Sequence, residues 1–166
     1  MIYGQPPLTE DVLPPQYEKA LQTFGKMCID ALVQKKFYFS RSEILKVMPE
    51  SLKRSHENVI MGFLIKTNIS FSRPLFNVGD YYQPLHKTFL EFVAAYYLKT
   101  LVTNKQQPSW LVEEVLLSLQ DIAPESVEQV LLFTVEMLQD EAHVIFKELA
   151  NIGFFLDWIL GFSNLR

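Results

Sequence analysis

The sequence predicts a mainly α-helical fold with one small β-hairpin, and three observations predict it. Apolar residues recur at three- and four-residue intervals over most of the chain. One stretch near the middle instead sets aromatic and β-branched residues among Ser, Pro, Asn and Gly. A long, strongly apolar helical pattern follows that stretch. With 166 residues and 49% hydrophobic content, the chain carries enough apolar side chains for a core. Charged residues make up only 20% while Phe, Tyr and Trp reach 13%, which points toward a piece of a larger assembly rather than a domain that buries its own apolar surface.

The elements follow in order. Residues 1–15 read as a linker or remnant, because Pro6-Pro7 and Pro14-Pro15 each remove a backbone donor and restrict the residue before them. From 16 to about 33, Leu21, Phe24, Cys28, Ile29 and Leu32 mark one buried face of a first helix. The aromatic run Phe37-Tyr38-Phe39 comes next. Ser40 with Glu43 three residues on then forms a capping-box pattern that opens a short helix over about 41–47, stopped by Pro49. A third helix is expected over about 55–66, with Val59, Ile60, Phe63 and Leu64 inward.

Ile69, Phe71, Leu75, Phe76, Val78, Tyr81 and Tyr82 then suggest two short strands joined by an irregular turn. Three helices followed by a small hairpin is the order of a winged helix, and residues 16–102 are assigned to it. Its last element is a long helix from Pro84 to about Val102, apolar around much of its circumference and so buried on more than one side. The polar run 103–108 is the best internal boundary. Residues 103–166 form a helical, superhelical segment, with helices expected over about 109–119, 125–138, 141–149 and 152–160.

A formal charge of −4 and a pI near 5.4 argue against a general nucleic-acid binder, whose affinity comes mainly from Lys and Arg neutralising phosphates. The single cysteine, Cys28, excludes an internal disulfide and a thiolate metal cage and fits a reducing compartment. No run approaches the roughly 20 apolar residues that span a bilayer, and the N-terminus lacks the basic-then-apolar pattern of a signal peptide. A cytoplasmic protein without a membrane span is therefore expected.

The chain contains no GxxxxGK[ST] phosphate loop, and Gly25-Lys26 lacks both the upstream glycine and the following hydroxyl. GxGxxG, GxSxG, HExxH and CxxC are missing too, so the chain is not expected to be an enzyme, to hold a metal or to bind a cofactor by itself. His56 and His143 read as exposed or partly packed helix residues. His86 differs by its setting, just after Pro84 at the expected N-terminus of the long helix, where backbone N–H groups and the helix dipole favour an anion. There the imidazole can donate to a phosphate oxygen. It can equally cap its own helix or fill a gap beneath the hairpin, and spacing alone favours that plainer role.

The run Leu-His-Lys-Thr-Phe-Leu-Glu-Phe-Val-Ala-Ala-Tyr-Tyr-Leu, from Leu85 to Leu98, resembles the "FxHxTFQEFxAAxYL" segment that closes the winged-helix domain of NACHT proteins of the NLR class, a group of signalling ATPases. His86 aligns with the family histidine, Glu91 with its glutamate, and Ala94-Ala95 with a small pair that allows tight helix packing. Leu90 stands where the family often has glutamine, and Gln83-Pro84-Leu85 replaces an aromatic-rich strand end. Upstream, Phe24 to Cys28 is similar to the family's "LGxLA" helix, Phe37 to Ile44 to its "xxFxxxEL" turn, and Met61 to Leu64 to its "GLL". Downstream, Val130 to Leu138 resembles "LLFxxGLL", with Glu136 in place of the common glycine.

The resemblance covers about residues 18–149. It implies a regulatory fragment of a nucleotide-switched innate-immune signalling protein, in which His86 contacts a phosphate of ADP bound to an upstream NACHT nucleotide-binding core and so stabilises the closed state. Glu91 and Tyr82 would support that contact, although ordinary helix and strand packing explains both more simply. ADP or ATP would belong to the parent protein only, and a repeat domain would follow as a second partner. Two other readings stand beside it. One is a stand-alone winged-helix DNA-binding domain, disfavoured by charge and by a recognition helix that offers only His56, Glu57 and Asn58 before turning apolar. The other is a helical adaptor that binds proteins through its apolar faces.

Overall fold

The computed structural model describes residues 15–47, 64–67, 80–104 and 109–153. These residues form a mainly α-helical protein with a three-stranded antiparallel sheet. Helix α1 spans Pro15–Val33, so the last proline of the N-terminal stretch belongs to the helix rather than to a linker. Its first turn has no use for the donor that proline lacks. The apolar periodicity reads correctly: Leu21, Phe24, Cys28, Ile29 and Leu32 are all buried. Burial also pushes the Cys28 thiol well above its ordinary pKa, so this sulfur packs as a small apolar group.

Strand β1, Phe39–Ser40, lies between α1 and helix α2, Arg41–Val47. The capping box forms as its spacing predicts. The Ser40 N–H donates to Glu43 Oε2 at 2.8 Å and the Glu43 N–H donates to Ser40 Oγ at 3.2 Å. Lys36 adds an ammonium to the same carboxylate.

The expected third helix and the hairpin are redrawn. Residues 64–66, placed at that helix's end, belong to strand β2, Leu64–Thr67, which pairs with β3, Tyr81–Pro84. A short apolar run does not distinguish strand from helix by itself, and here ladder pairing with β3 decides. The rest of the third helix, with Val59, Ile60 and Phe63, falls outside the described residues, as do Ile69, Phe71, Leu75, Phe76 and Val78. β3 is central, with β1 joining its other edge, Phe39 opposite Tyr82 and Ser40 opposite Tyr81. The sheet thus has three strands rather than the two of a hairpin, with one strand taken from the Phe37-Tyr38-Phe39 run that periodicity does not reveal.

Helix α3 spans Lys87–Thr103. It starts later than Pro84, because Pro84 is the last residue of β3, opposite Leu64. α4, Ser109–Ser118, runs into a 3₁₀ turn at Leu119–Asp121. α5 spans Pro124–Leu138, with proline again in the first turn, and α6 spans Ala142–Asn151 after a second 3₁₀ turn. Gly153, at φ +70°, closes α6 in the left-handed region that favours glycine. The last expected helix, 152–160, lies almost wholly outside the described residues.

α3 organises the core. It packs most extensively against α1 and α5 and also touches α4 and α6. Leu90, Val93, Ala94, Ala95 and Leu98 are completely buried, which is why the pattern is apolar around so much of the helix. The aromatic residues of α3 divide between two neighbours. Phe92 meets Phe133 of α5 edge-on, with ring centroids 5.7 Å apart, whereas Tyr97 turns to α1 at Gly25. Leu101 and residues from α4, α5 and α6 extend the same hydrophobic cluster.

Candidate functional site

The sheet delivers the chain to the N-terminus of α3. Pro84 is buried at the end of β3, Leu85 swings out to 80% exposure, and His86 sits between strand and helix in an extended conformation, φ −146° and ψ 148°. That backbone is the usual one for an N-cap residue. The side chain performs the capping: Nδ1 accepts from the Thr88 N–H at 3.2 Å and lies 2.8 Å from Thr88 Oγ1. The Phe89 N–H donates to the His86 carbonyl at 3.1 Å. The plainer role for this imidazole is therefore real.

The cap has a chemical consequence. A ring nitrogen that accepts from a backbone N–H must carry a lone pair, so the ring proton resides on Nε2. Nε2 makes no hydrogen bond among the described residues, and His86 is exposed. Capping and donation to an external acceptor thus use different atoms of one ring. The positive end of α3 adds to the preference for an anionic acceptor.

Lys87 adjoins this donor. Its Nζ lies 3.5 Å from Glu91 Oε1 one turn on, and the Glu91 side chain is only 6% exposed. A buried carboxylate requires a compensating charge, so Glu91 holds Lys87 at the head of the helix. Of the candidate residues, the fold brings His86 and Glu91 to the head of α3, as its N-cap and in its second turn, with Glu91 acting on Lys87 rather than on His86. Tyr82 is placed elsewhere. It is half-buried on β3 between Phe39 and Lys66 and packs against the core, and no described contact joins it to His86. The Lys87 partnership is the member that motif reading missed, although Lys-x-x-x-Glu spacing signals it.

The donor set suits a phosphate oxygen: one imidazole N–H, a nearby ammonium and a helix N-terminus. It supplies nothing that would cradle a whole triphosphate. A separate open groove of about 500 Å³ between α1 and α3 is lined by Gln22, Thr23, Lys26, Met27, Asp30 and Tyr97. Tyr97 lies eleven residues along α3 from His86, or roughly 16 Å at the helical rise, so the groove is not part of this site. Among the described residues no group of three or more His, Cys, Asp or Glu could hold a metal ion. His143 is exposed near the Asp140 carbonyl, and His56 falls outside the described residues. No described helix is long and apolar enough to cross a membrane.

No known protein-family profile matches the chain, and no curated protein matches it.

Proposed function

We propose that this chain is the winged-helix and following helical segment of an NLR-type NACHT signalling ATPase and that it stabilises the closed, ADP-bound state. The observation that carries the reading is the run Leu85 to Leu98, with its histidine at the head of the long buried helix. The division of labour within the His86 ring supports it, since the cap uses Nδ1 and leaves an outward Nε2–H for a phosphate oxygen. Lys87, held by Glu91, adds positive charge beside that donor. Tyr82 contributes only by fixing β3 against the core.

The chain performs no hydrolysis in this scheme. ADP is held by the phosphate loop of a NACHT core, and His86 adds one hydrogen bond available only when the core and the winged helix are packed together. A contact made in one state and not the other shifts the population toward the state that has it. Loss of the contact favours an open form that signals in the cytoplasm.

The test adds a purified NACHT core in trans and measures ADP retention with the wild-type chain, His86→Ala and His86→Asn. Asn retains the ability to cap the helix but lacks the ring donor. Wild type is expected to slow ADP release, and both variants to lose that effect. Formation of no complex with the core, or equal retention by all three chains, sinks the reading. Salt-sensitive binding of the chain to random duplex DNA would support the DNA-binding alternative instead.

A further inference from the structure

The outward face of α4 carries residues that a solvent-facing helix surface does not need. Trp110, Glu113, Glu114 and Leu117 stand at i, i+3, i+4 and i+7, the spacing of one continuous helical stripe. All four are exposed, Trp110 at 61% and Leu117 at 42%, while Val112, Val115 and Leu116 on the other side enter the core. α4 therefore buries one apolar face and shows a second, mixed one.

Charge indicates what fits there. Residues 109–153 carry nine Asp and Glu against a single cation, Lys147. Neither Glu113 nor Glu114 is ion-paired among the described residues. The negative field reaches past the helix. Partial desolvation raises the pKa of the largely exposed Asp30 carboxyl, Lys26 opposes this, and Glu114 adds to it. Burial, then Asp30 and Glu114, raise the Tyr97 hydroxyl. Glu114 of the stripe thus acts on two residues that line the open groove between α1 and α3, Asp30 and Tyr97, and the exposed Lys26 lies in the same groove.

We infer that the outer face of α4 docks a basic amphipathic helix of a partner protein. Laid along α4, such a helix covers Trp110 and Leu117, about 10 Å apart at the helical rise, with its apolar residues. Its lysines or arginines meet Glu113 and Glu114. Trp110 is the anchor, as a large ring with an N–H of its own. A symmetric pairing of two copies through this face is disfavoured, because it sets the glutamates of one copy against those of the other. The outer face of α5, with Glu125, Glu128 and Leu132, is also mixed but has no aromatic anchor. It therefore serves as the internal control.

The probe is a synthetic peptide of leucine and lysine in helical register, about 18 residues long and so about 27 Å when folded, titrated into the full chain by calorimetry. One-to-one saturable binding is expected, weakening steeply with salt. Trp110→Ala and the pair Glu113→Gln with Glu114→Gln should each weaken it by roughly tenfold or more. The control pair Glu125→Gln with Glu128→Gln should change it less than about twofold, and an acidic peptide with the same leucine pattern should not bind. Absence of saturation overturns the inference, and so does equal weakening by the two glutamate pairs, which would reduce the effect to net charge. Self-association of the chain that Trp110→Ala abolishes would give the face to a second copy and also overturn it. Circular dichroism of each exposed-site variant confirms that the chain remains folded.

Discussion

Gly25 of α1 and Tyr97 of α3 approach so closely that a Cβ built on Gly25 would lie 2.3 Å from the Tyr97 Cβ and 3.0 Å from the Val93 carbonyl oxygen. The two helices cross backbone to backbone at this point, and the glycine permits it. A Cβ belongs to the main-chain frame, so no rotamer change of Tyr97 moves it aside.

Gly25→Ala is accordingly expected to destabilise the chain. Alanine favours a helix interior over glycine by up to about 1 kcal/mol, but overpacking a well-filled contact costs about 1–3 kcal/mol. The steric term should win because the neighbours it would meet are a Cβ and a carbonyl rather than a flexible side-chain end. Urea unfolding of the two proteins measures the difference, and a Gly25→Ala chain as stable as wild type would show that the crossing is looser than described.

The two duties of His86 can be separated. His86→Ala removes the acceptor for the Thr88 N–H and should cost about 0.5–2 kcal/mol, the usual range for a lost cap. His86→Asn restores an acceptor and should recover most of that loss without restoring the ring donor. Thermal unfolding of the three chains reads the cap alone. If Asn is no more stable than Ala, the Nδ1 contact does not stabilise the helix.

Glu43 makes stability depend on pH in a definite direction. Burial works to raise its pKa, yet the Lys36 ammonium and the two Ser40 donors together outweigh burial and hold the carboxyl below its ordinary value. A carboxyl whose folded pKa is depressed stabilises the fold above its unfolded pKa, about 4.3 for Glu, and loses that contribution as pH falls through the folded value. Wild type should therefore melt above Glu43→Gln at pH 7, and the gap should shrink as pH drops below about 4. A gap that stays constant between pH 7 and 3 would show that ionisation of Glu43 does not matter.

Ser126, in the first turn of α5, is 1% exposed, and its hydroxyl has no hydrogen-bond partner among the described residues. A buried hydroxyl without a partner costs about 1–3 kcal/mol of desolvation. Ser126→Ala removes that cost and improves helix propensity, so a gain of about 1 kcal/mol is expected from chemical denaturation. A loss on substitution would mean that the hydroxyl is satisfied in solution.

The sequence by itself determined most of the described helices, because a buried helical face writes its period into the chain. Leu21, Phe24, Cys28, Ile29 and Leu32 announced α1, and the capping box at Ser40 and Glu43 announced the start of α2 through contacts only three residues apart. It also placed His86 at the head of the long helix. Tertiary structure decided what depends on partners distant in sequence. Leu64–Thr67 became a strand because β3 offers a ladder, and two residues at Phe39–Ser40 joined the same sheet although they are too short to carry a pattern. Which atom of His86 is committed to the cap, which cation Glu91 holds, and which face of α4 stays in water with its tryptophan all depend on contacts made in space. Local period cannot encode them, because each is fixed only when separate elements meet.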